Sequence, residues 1–283
     1  MRPDSAQTAA ALPWEIARPV RMSALPGVDM AGFSYRGDGP LVMRAIPHPA
    51  VTVAVEFGDC AFDVHAAGRS WSGGVAVGLL PGAVDVRVRS VECVQIRLSP
   101  LVVPAVFGMP SAELNGTVVA LDDLWDRDAE RVRERLHHAR TWPERFALIH
   151  TVLSRRFQAD RVIDPEVAFA WRRIVATRGR VRVGDLAART GWSRQRLWSR
   201  FVAQIGPTPK GAAMLVRFDH AVHRLAGGHA PAQVAADGGY ADQSHLHRDV
   251  RAFTAASPGA SADEPWLAVD DTAWPSRGGA SFL

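Results

Sequence analysis

Apolar and polar residues alternate with a period of two between about residues 40 and 100. The clearest stretches are VTVAVEF (51–57), VDVRVRS (84–90) and VQIRL (94–98), all rich in β-branched residues. Turn signals separate them at GDCAF, WSGG and LPGA. Because alternation puts every second side chain on the same face of a strand, the pattern predicts several short antiparallel strands in a sandwich or barrel.

After residue 100 the hydrophobic period changes to that of helices. Residues 101–116 include two prolines, which favour short helices and turns. In DDLWDRDAERVRERLHHAR and ERFALIHTVLSRRF the apolar residues follow one helical stripe, which predicts a helical hairpin at about 122–158. This hairpin could form a dimer interface, pack against the C-terminal region, or only cover the sheet.

The stretch VGDLAARTGWSRQRLWSRF, which starts at residue 183, has the layout of a helix-turn-helix. Gly191 suits the turn, since glycine adopts positive φ at little cost. Ser193 is a favourable N-cap for the helix that follows. In that helix Leu197, Phe201 and Ile205 recur every four residues and predict a buried stripe.

The same arrangement recurs later in the chain. Ala187 and Gly191 match residues 48 positions later, and a second set matches at an offset of 49. The matching pairs are Ala187 with Ala235, Gly191 with Gly239, Ser193 with Asp242, Leu197 with Leu246, Phe201 with Val250, Thr208 with Ser257, and Pro209 with Pro258. Two such units in tandem are much harder to obtain by chance than one.

The charge distribution adds a second signal. The chain has a net charge of +4, but residues 166–258 contain fourteen basic and six acidic residues. This third of the chain is therefore strongly basic, while the remainder is slightly acidic. A basic region that contains two helix-turn-helix units favours a polyanion as its partner.

From about residue 175 to residue 258 the chain resembles the AraC family of bacterial transcription regulators. The resemblance lies in DLAARTGWS, LWSRFVAQIGPTP, Arg217, Ala221 and Leu225, and in VAADGGYADQSHLHRDV followed by SP. The family usually has aromatic residues at positions 246 and 250 and glycine at position 255, where this chain has Leu, Val and Ala. The N-terminal region is more loosely similar to the sensory domains of some members.

The resemblance implies a sequence-specific regulator that binds double-stranded DNA through two recognition helices in successive major grooves. It places a set of residues toward base edges, and helical spacing agrees because they avoid the apolar stripes. These residues are Gln195, Trp198 and Ser199 in the first recognition helix, and Gln243, Ser244, His247 and Arg248 in the second. For Trp198, packing against the neighbouring turn is the alternative. Four arginines flank these faces and are predicted to contact phosphates: Arg194, Arg196, Arg200 and Arg251.

The stretch GGYADQSHLHRDVRAF raises the question of a metal site. On a helix, His245 and His247 lie about 200° apart around the axis, so they cannot bind one ion together. His245 and Asp249 are four positions apart and are predicted to pair on the flank of the helix. The sequence thus predicts no metal site here.

The resulting fold class is α+β and multidomain, with an antiparallel β-rich N-terminal domain and an all-α tandem helix-turn-helix domain. Residues 1–162 are predicted to form a sensory or oligomerisation domain, with a β-rich core at about 40–100. Residues 166–260 are predicted to form the DNA-binding domain, and residues 261–283 a tail without an assigned role. A small-molecule effector, a homodimer partner and, for an activator, RNA polymerase are further candidate partners.

An enzyme is the competing class, in the form of a metal-dependent barrel fused to a DNA-binding domain. A barrel metal site needs histidines close together on adjacent strand positions, but His48 and His65 are well separated. Cys60 and Cys93 have no metal-binding spacing, and no GxSxG, P-loop or HExxH motif occurs. The sequence therefore predicts no catalytic residues, no metal and no cofactor.

Two further questions stay open in the sequence. A DNA-binding regulator without an effector, whose N-terminal domain only dimerises, has the same sequence features as a ligand-controlled one. Pocket candidates in the strand region are Phe57, Phe62, Trp71, His48, His65, Arg44 and Arg69. Residues 1–19 lack a signal peptide's apolar core and no segment has the ~20 apolar residues of a membrane span, so we expect a cytoplasmic protein without membrane contact.

Overall fold

In the computed structural model of the chain, residues 14–20, 23, 25–35, 37, 39–79 and 82–275 are described. Nine strands come first, with the helices mostly after them. The strands are β1 (Trp14–Ala17), β2 (Val28–Tyr35), β3 (Leu41–Ala45), β4 (Val51–Glu56), β5 (Ala61–Ala66), β6 (Arg69–Ser72), β7 (Val75–Val77), β8 (Val84–Leu98) and β9 (Val118–Ala120). The predicted antiparallel β-rich domain is confirmed. Its first two strands lie before residue 40, although the sequence pattern predicts that the β-rich core begins at about that residue.

The helices surround this β domain and then form the C-terminal region. Those of the N-terminal part are α1 (Val103–Phe107), α2 (Leu121–Trp125), α3 (Arg127–His138) and α4 (Trp142–Arg156), with a 3-10 turn at Ser111–Leu114. Those of the C-terminal part are α5 (Pro165–Ala176), α6 (Val183–Thr190), α7 (Arg194–Ile205), α8 (Pro209–Ala226), α9 (Pro231–Gly238), α10 (Gln243–Thr254), α11 (Pro258–Ala262) and α12 (Pro265–Ala273). No helix in the described part of the chain combines the length and the apolar character required to cross a membrane.

Strand β8 is shared by two sheets. Its first half pairs with β3 and β5, while its second half pairs with β2 and β4. Val86 lies opposite Met43 and Val64, and Ile96 lies opposite Met30 and Val53. All of these pairings are antiparallel, so one long strand bends from the first sheet into the second and holds a barrel-like domain together.

Because successive side chains of β8 point to opposite faces of the strand, its residues belong to two different buried layers. Val94, Ile96 and Leu98 pack against the helices that cover one sheet, in a cluster that includes Trp125 and Ile149. The residues between them face the space between the two sheets. The predicted helical hairpin corresponds to α3 and α4, and it covers this sheet.

The C-terminal helices have a core of their own, in which Trp171, Phe201 and Phe218 are fully buried. Ile46 and Leu79, from loops of the barrel, belong to the same buried cluster. The two domains therefore meet through apolar side chains.

The segment predicted as a tail contains a packed helix. Helix α12 contacts β1, β3 and α8, and its residues Val269 and Ala273 are buried in the barrel's core together with Trp274, which follows the helix. Residues 276–283 of the predicted tail lie outside the described residues.

Candidate nucleic-acid interface

The first helix-turn-helix unit consists of α6 and α7. Helix α6 ends at Gly191, whose φ of 69° lies in the left-handed region that glycine tolerates. The Ser193 hydroxyl accepts a 3.1 Å hydrogen bond from the backbone N–H of Arg196 and caps α7. Leu197 and Phe201 are fully buried, which leaves the opposite face of α7 to solvent.

The second unit repeats this construction in α9 and α10. Helix α9 ends at Gly239 with a φ of 75°, and the Asp242 carboxylate accepts a 2.7 Å hydrogen bond from the His245 N–H. Leu246 and Val250 are fully buried although neither is aromatic. At the end of α10, Ala255 adopts a φ of 56°, a conformation that glycine would take with less strain.

Helix α8 fixes the second unit through a partly buried ion pair. Arg217 Nη2 lies 2.7 Å from Asp249 Oδ2, and the exposed fractions of the two side chains are 15% and 7%. The guanidinium of Arg217 also lies 4.5 Å from the ring centre of Tyr240. Burial raises the pKa of Tyr240 to about 12, so this ring stays neutral at physiological pH. Because α8 begins directly after α7, the two units are held in a defined relation.

The structure brings the predicted base-reading residues to the surface of α7 and α10. All seven are exposed: Gln195, Trp198, Ser199, Gln243, Ser244, His247 and Arg248. Trp198 has an exposed fraction of 51%, so about half of its surface is covered by the protein and half is open to solvent. The Arg248 Nε donates a 3.3 Å hydrogen bond to the backbone oxygen of Ser244, so the two residues lie side by side on one turn of α10.

The four predicted phosphate contacts are also exposed, but two of them interact within the protein. The guanidinium of Arg196 lies 4.5 Å from the ring centre of Trp192. Arg200 forms a two-point ion pair with Asp164, with distances of 2.7 Å from Nε to Oδ2 and 3.0 Å from Nη2 to Oδ1. This hydrogen bonding from Arg200 lowers the pKa of Asp164 from its usual value. Arg194 and Arg251 are the other two exposed arginines of the set.

His245 lies on the flank of α10, as its spacing indicates. Its Nε2 is 3.9 Å from Asp249 Oδ1, and its ring packs edge-on against Tyr240. Among the described residues, no group of three or more His, Cys, Asp and Glu side chains is arranged to hold a metal ion.

A family model described as "Helix-turn-helix domain" matches residues 186–263, which include both units and the helix that links them. The C-terminal domain is an AraC-type helix-turn-helix domain. None of the curated proteins compared with this chain matches it.

Several solved structures cover most of the chain at low sequence identity. ToxT from Vibrio cholerae, in a crystal structure with bound unsaturated fatty acid, is 10% identical, with a TM-score of 0.48 over 86% of this chain and 96% of that chain. ToxT bound to (E)-4-(8-methylnaphthalen-1-yl)but-3-enoic acid is 8% identical, with a TM-score of 0.48 over 83% of this chain and 98% of that chain. The AraC-like transcriptional activator CuxR is 14% identical, with a TM-score of 0.27 over 81% of this chain and 90% of that chain. These values are too low to transfer a ligand or a partner to this chain.

The barrel encloses a cavity of about 120 Å³ between its two sheets. Its wall is mainly apolar and includes the rings of Trp14, Phe33, Phe62 and Trp266. Its polar lining residues are His48, Thr52, Gln95 and Arg97. The His48 Nε2 and the Thr52 hydroxyl share a 2.7 Å hydrogen bond.

Sequence reasoning found only part of this cavity. Of the seven pocket candidates, His48 and Phe62 line it, whereas Phe57, Trp71, His65, Arg44 and Arg69 do not. Gln95 and Arg97 were missed, although VECVQIRL contains the signal. In that stretch the two polar residues alternate with Val94, Ile96 and Leu98, so they must face the opposite side of β8.

Proposed function

We propose that the protein is a ligand-controlled transcription regulator whose two recognition helices, α7 and α10, read successive major-groove segments of one DNA duplex. The observation that supports this most strongly is the connection between the two helix-turn-helix units through α8. Helix α8 follows α7 directly and holds α10 through the ion pair between Arg217 and Asp249. Helices in such a fixed relation suit groove segments about one helical turn, or ~34 Å, apart.

Base reading is proposed for the exposed faces of α7 and α10. Glutamine can pair bidentately with adenine and arginine with guanine, each contributing about 1–3 kcal/mol of discrimination. Gln243 and Arg248 are therefore the strongest candidates, and Trp198, with half of its side chain exposed, is a candidate for apolar contact with a base. The full proposed set is Gln195, Trp198, Ser199, Gln243, Ser244, His247 and Arg248, with Arg194, Arg196, Arg200 and Arg251 at phosphates.

The barrel cavity supports the ligand in this proposal. Its volume of about 120 Å³ approaches that of an engineered apolar cavity of ~150 Å³ that binds benzene or xenon. Within the described residues, the buried Oε1 of Gln95 has no hydrogen-bond partner. A buried oxygen without a hydrogen-bond donor lowers the stability of the protein. A ligand that donates a hydrogen bond to Gln95 Oε1 would therefore be favoured. The expected class is a small, mainly apolar, neutral molecule with one hydroxyl or amine group, about the size of a phenol.

The remaining partners belong to the same proposal. A regulator that reads bacterial DNA shares a compartment with the chromosome, which is the cytoplasm. A homodimer, and RNA polymerase for an activator, are the protein partners we propose. A regulator without an effector would retain the DNA-binding surface but not the use of the cavity.

Selection of bound duplexes from a random library, with the full chain, tests the DNA part of the proposal. We expect enrichment of two short conserved boxes whose centres are about 10 base pairs apart. Enrichment of a single box, or of none, would contradict reading by two helices.

Thermal unfolding of the full chain with benzene and with phenol tests the ligand part. A ligand that binds the native state raises the melting temperature by mass action. We expect both probes to raise it, and phenol to raise it more because of Gln95. The full chain is required, since α12 completes the barrel's core and an isolated N-terminal fragment would lack it.

A further inference from the structure

Helix α12 follows the DNA-binding units in the sequence but contacts the barrel and α8. We propose that α12 is the lid of the barrel cavity and the element that couples its occupancy to DNA binding. This inference rests on the proposed use of the cavity as a ligand site.

The proposed role as a lid is supported by the position of α12 at the edge strands of the two sheets. β1 is the last strand of one sheet, and in the described part of the chain β3 pairs only with β8 in the other. Helix α12 contacts both of these edge strands and so lies across the gap between the sheets. From α12, Trp266 enters the cavity wall, where its ring centre is 5.8 Å from that of Phe33 and 6.3 Å from that of Trp14.

The coupling role follows from a buried ion-pair network centred on Asp270 of α12. One carboxylate oxygen of Asp270 accepts a hydrogen bond from Arg97 of β8, and the exposed fractions of the two side chains are 3% and 2%. The other oxygen lies 3.4 Å from Nε2 of His223 on α8. The guanidinium of Arg97 also lies 4.5 Å from the ring centre of Trp274, at the end of α12.

Asp270 thus connects a residue of the cavity wall with the helix that joins both recognition helices. Arg97 lines the cavity, and His223 belongs to α8. A ligand that moves α12 through Trp266, or that displaces Arg97 from Asp270, would alter the contact between Asp270 and His223. Coupling between distant sites requires such a continuous physical connection with alternative arrangements, and α12 provides one.

Two variants that interrupt this network, one at its centre and one on the α8 side, test the inference without any ligand. Asp270→Asn removes the charge from the centre of the network, and His223→Gln removes the imidazole on the α8 side. Asp263→Asn is the matched control, because this exposed residue makes the same charge change just before α12. DNA affinity is measured with the full chain by fluorescence anisotropy, on a duplex obtained by selection.

We expect Asp270→Asn and His223→Gln each to change the affinity at least about fivefold, the lower end of typical allosteric couplings. The Asp263→Asn variant should bind like the wild type. If Asp270→Asn does not fold, His223→Gln decides the result. Wild-type affinity in the folded variants would overturn the coupling role.

Benzene then separates failure of this inference from failure of the proposed function. If benzene raises the melting temperature of the wild type, the cavity accepts an apolar ligand, and we expect benzene to change DNA affinity in the wild type but less in Asp270→Asn. A raised melting temperature with unchanged wild-type DNA affinity would overturn the coupling and leave the cavity proposal intact. No rise in the melting temperature would contradict the cavity proposal, while the two variants would still decide whether α12 affects DNA binding.

Discussion

Arg217 of the linking helix and Asp249 of the second recognition helix form a 2.7 Å ion pair that is largely shielded from water. One face of α10 therefore packs against α8, while the opposite face exposes Gln243 and Arg248 to solvent. The same residue, Asp249, also lies beside His245. A carboxylate in a helix that is proposed to bind DNA thus has a structural partner rather than facing the phosphates.

The first prediction concerns this ion pair. Asp249→Asn should lower the free energy of unfolding by about 3 kcal/mol, the lower end of the cost of breaking a buried ion pair, because it leaves the mostly buried Arg217 without its counter-charge. Asp237→Asn is the control, since Asp237 pairs with Arg224 at the surface with half of its side chain exposed, and it should cost less than about 1 kcal/mol. Urea denaturation measures the free energy of unfolding of both variants. An equal loss in the two variants would contradict the larger contribution assigned to the pair of Arg217 and Asp249.

A second prediction concerns backbone strain at the end of α10. Ala255 has a φ of 56°, so Ala255→Gly should stabilise the protein by about 1 kcal/mol. The neighbouring Ala256 has no positive φ, and Ala256→Gly should destabilise it by about 0.4–1 kcal/mol through the unfolded chain's greater entropy. Opposite signs in the two melting temperatures are the expected result, and a lower melting temperature for Ala255→Gly would be inconsistent with strain at this position.

A third prediction separates base reading from phosphate contact. Arg248→Ala should weaken binding to the selected duplex and lose about 1–3 kcal/mol of preference at one base position. Arg251→Ala should weaken binding to all sequences alike and reduce the salt dependence by about one unit of slope. Anisotropy titrations on the selected duplex and its single-base variants measure both effects. Unchanged base preference in Arg248→Ala would refute the assignment of that residue.

A fourth prediction concerns the ion pair between Arg200 and Asp164. Since Asp164→Asn removes one partner, Arg200 should become available to a phosphate, which raises affinity for all duplexes and increases the salt slope by about one. In an Arg200→Ala background the same change should have no effect. An unchanged slope in Asp164→Asn would show that Arg200 lies away from the DNA backbone.

The same pair has a defined pH dependence. Because the pKa of Asp164 is lowered in the folded state, its contribution to stability is complete above the unfolded-state value of about 3.9. That contribution is lost as the pH falls through the lower folded-state pKa. Between pH 6 and pH 8 this pair should therefore leave both stability and DNA affinity unchanged.

The helix-turn-helix units could be predicted from the sequence because their signals are local. Gly191 and Gly239 end α6 and α9, Ser193 and Asp242 cap the helices that follow, and apolar residues recur with the helical period. These features depend on residues a few positions apart. A single sequence therefore contains all the information that determines them.

Strand β2 was missed for a physical reason. Of its eight residues, only Asp29 is not buried, because one face packs against helices and the other faces the barrel interior. A strand buried on both faces has no period-two alternation, so the pattern that revealed β4 and β8 is absent. The half-exposed strand β4 alternates strictly between buried and partly exposed residues, and it was predicted.

Contacts between distant parts of the chain could not be predicted at all. Arg97 and Asp270 are 173 residues apart, and nothing in either local sequence indicates the other. Helix α12 packs against the barrel through this ion pair and through the ring of Trp266. The same limit applies to Arg200, whose spacing on α7 indicates exposure but not its ion pair with Asp164.

Hydroxyl-radical footprinting of the full chain on the selected duplex tests the central claim, that α7 and α10 read neighbouring groove segments, most directly. The structure predicts two protected patches on one face of the duplex, with centres about 10 base pairs apart. The double variant Gln243→Ala, Arg248→Ala should weaken only one patch, and Gln195→Ala, Ser199→Ala only the other. A single protected patch, or equal weakening of both patches by each double variant, would contradict the claim.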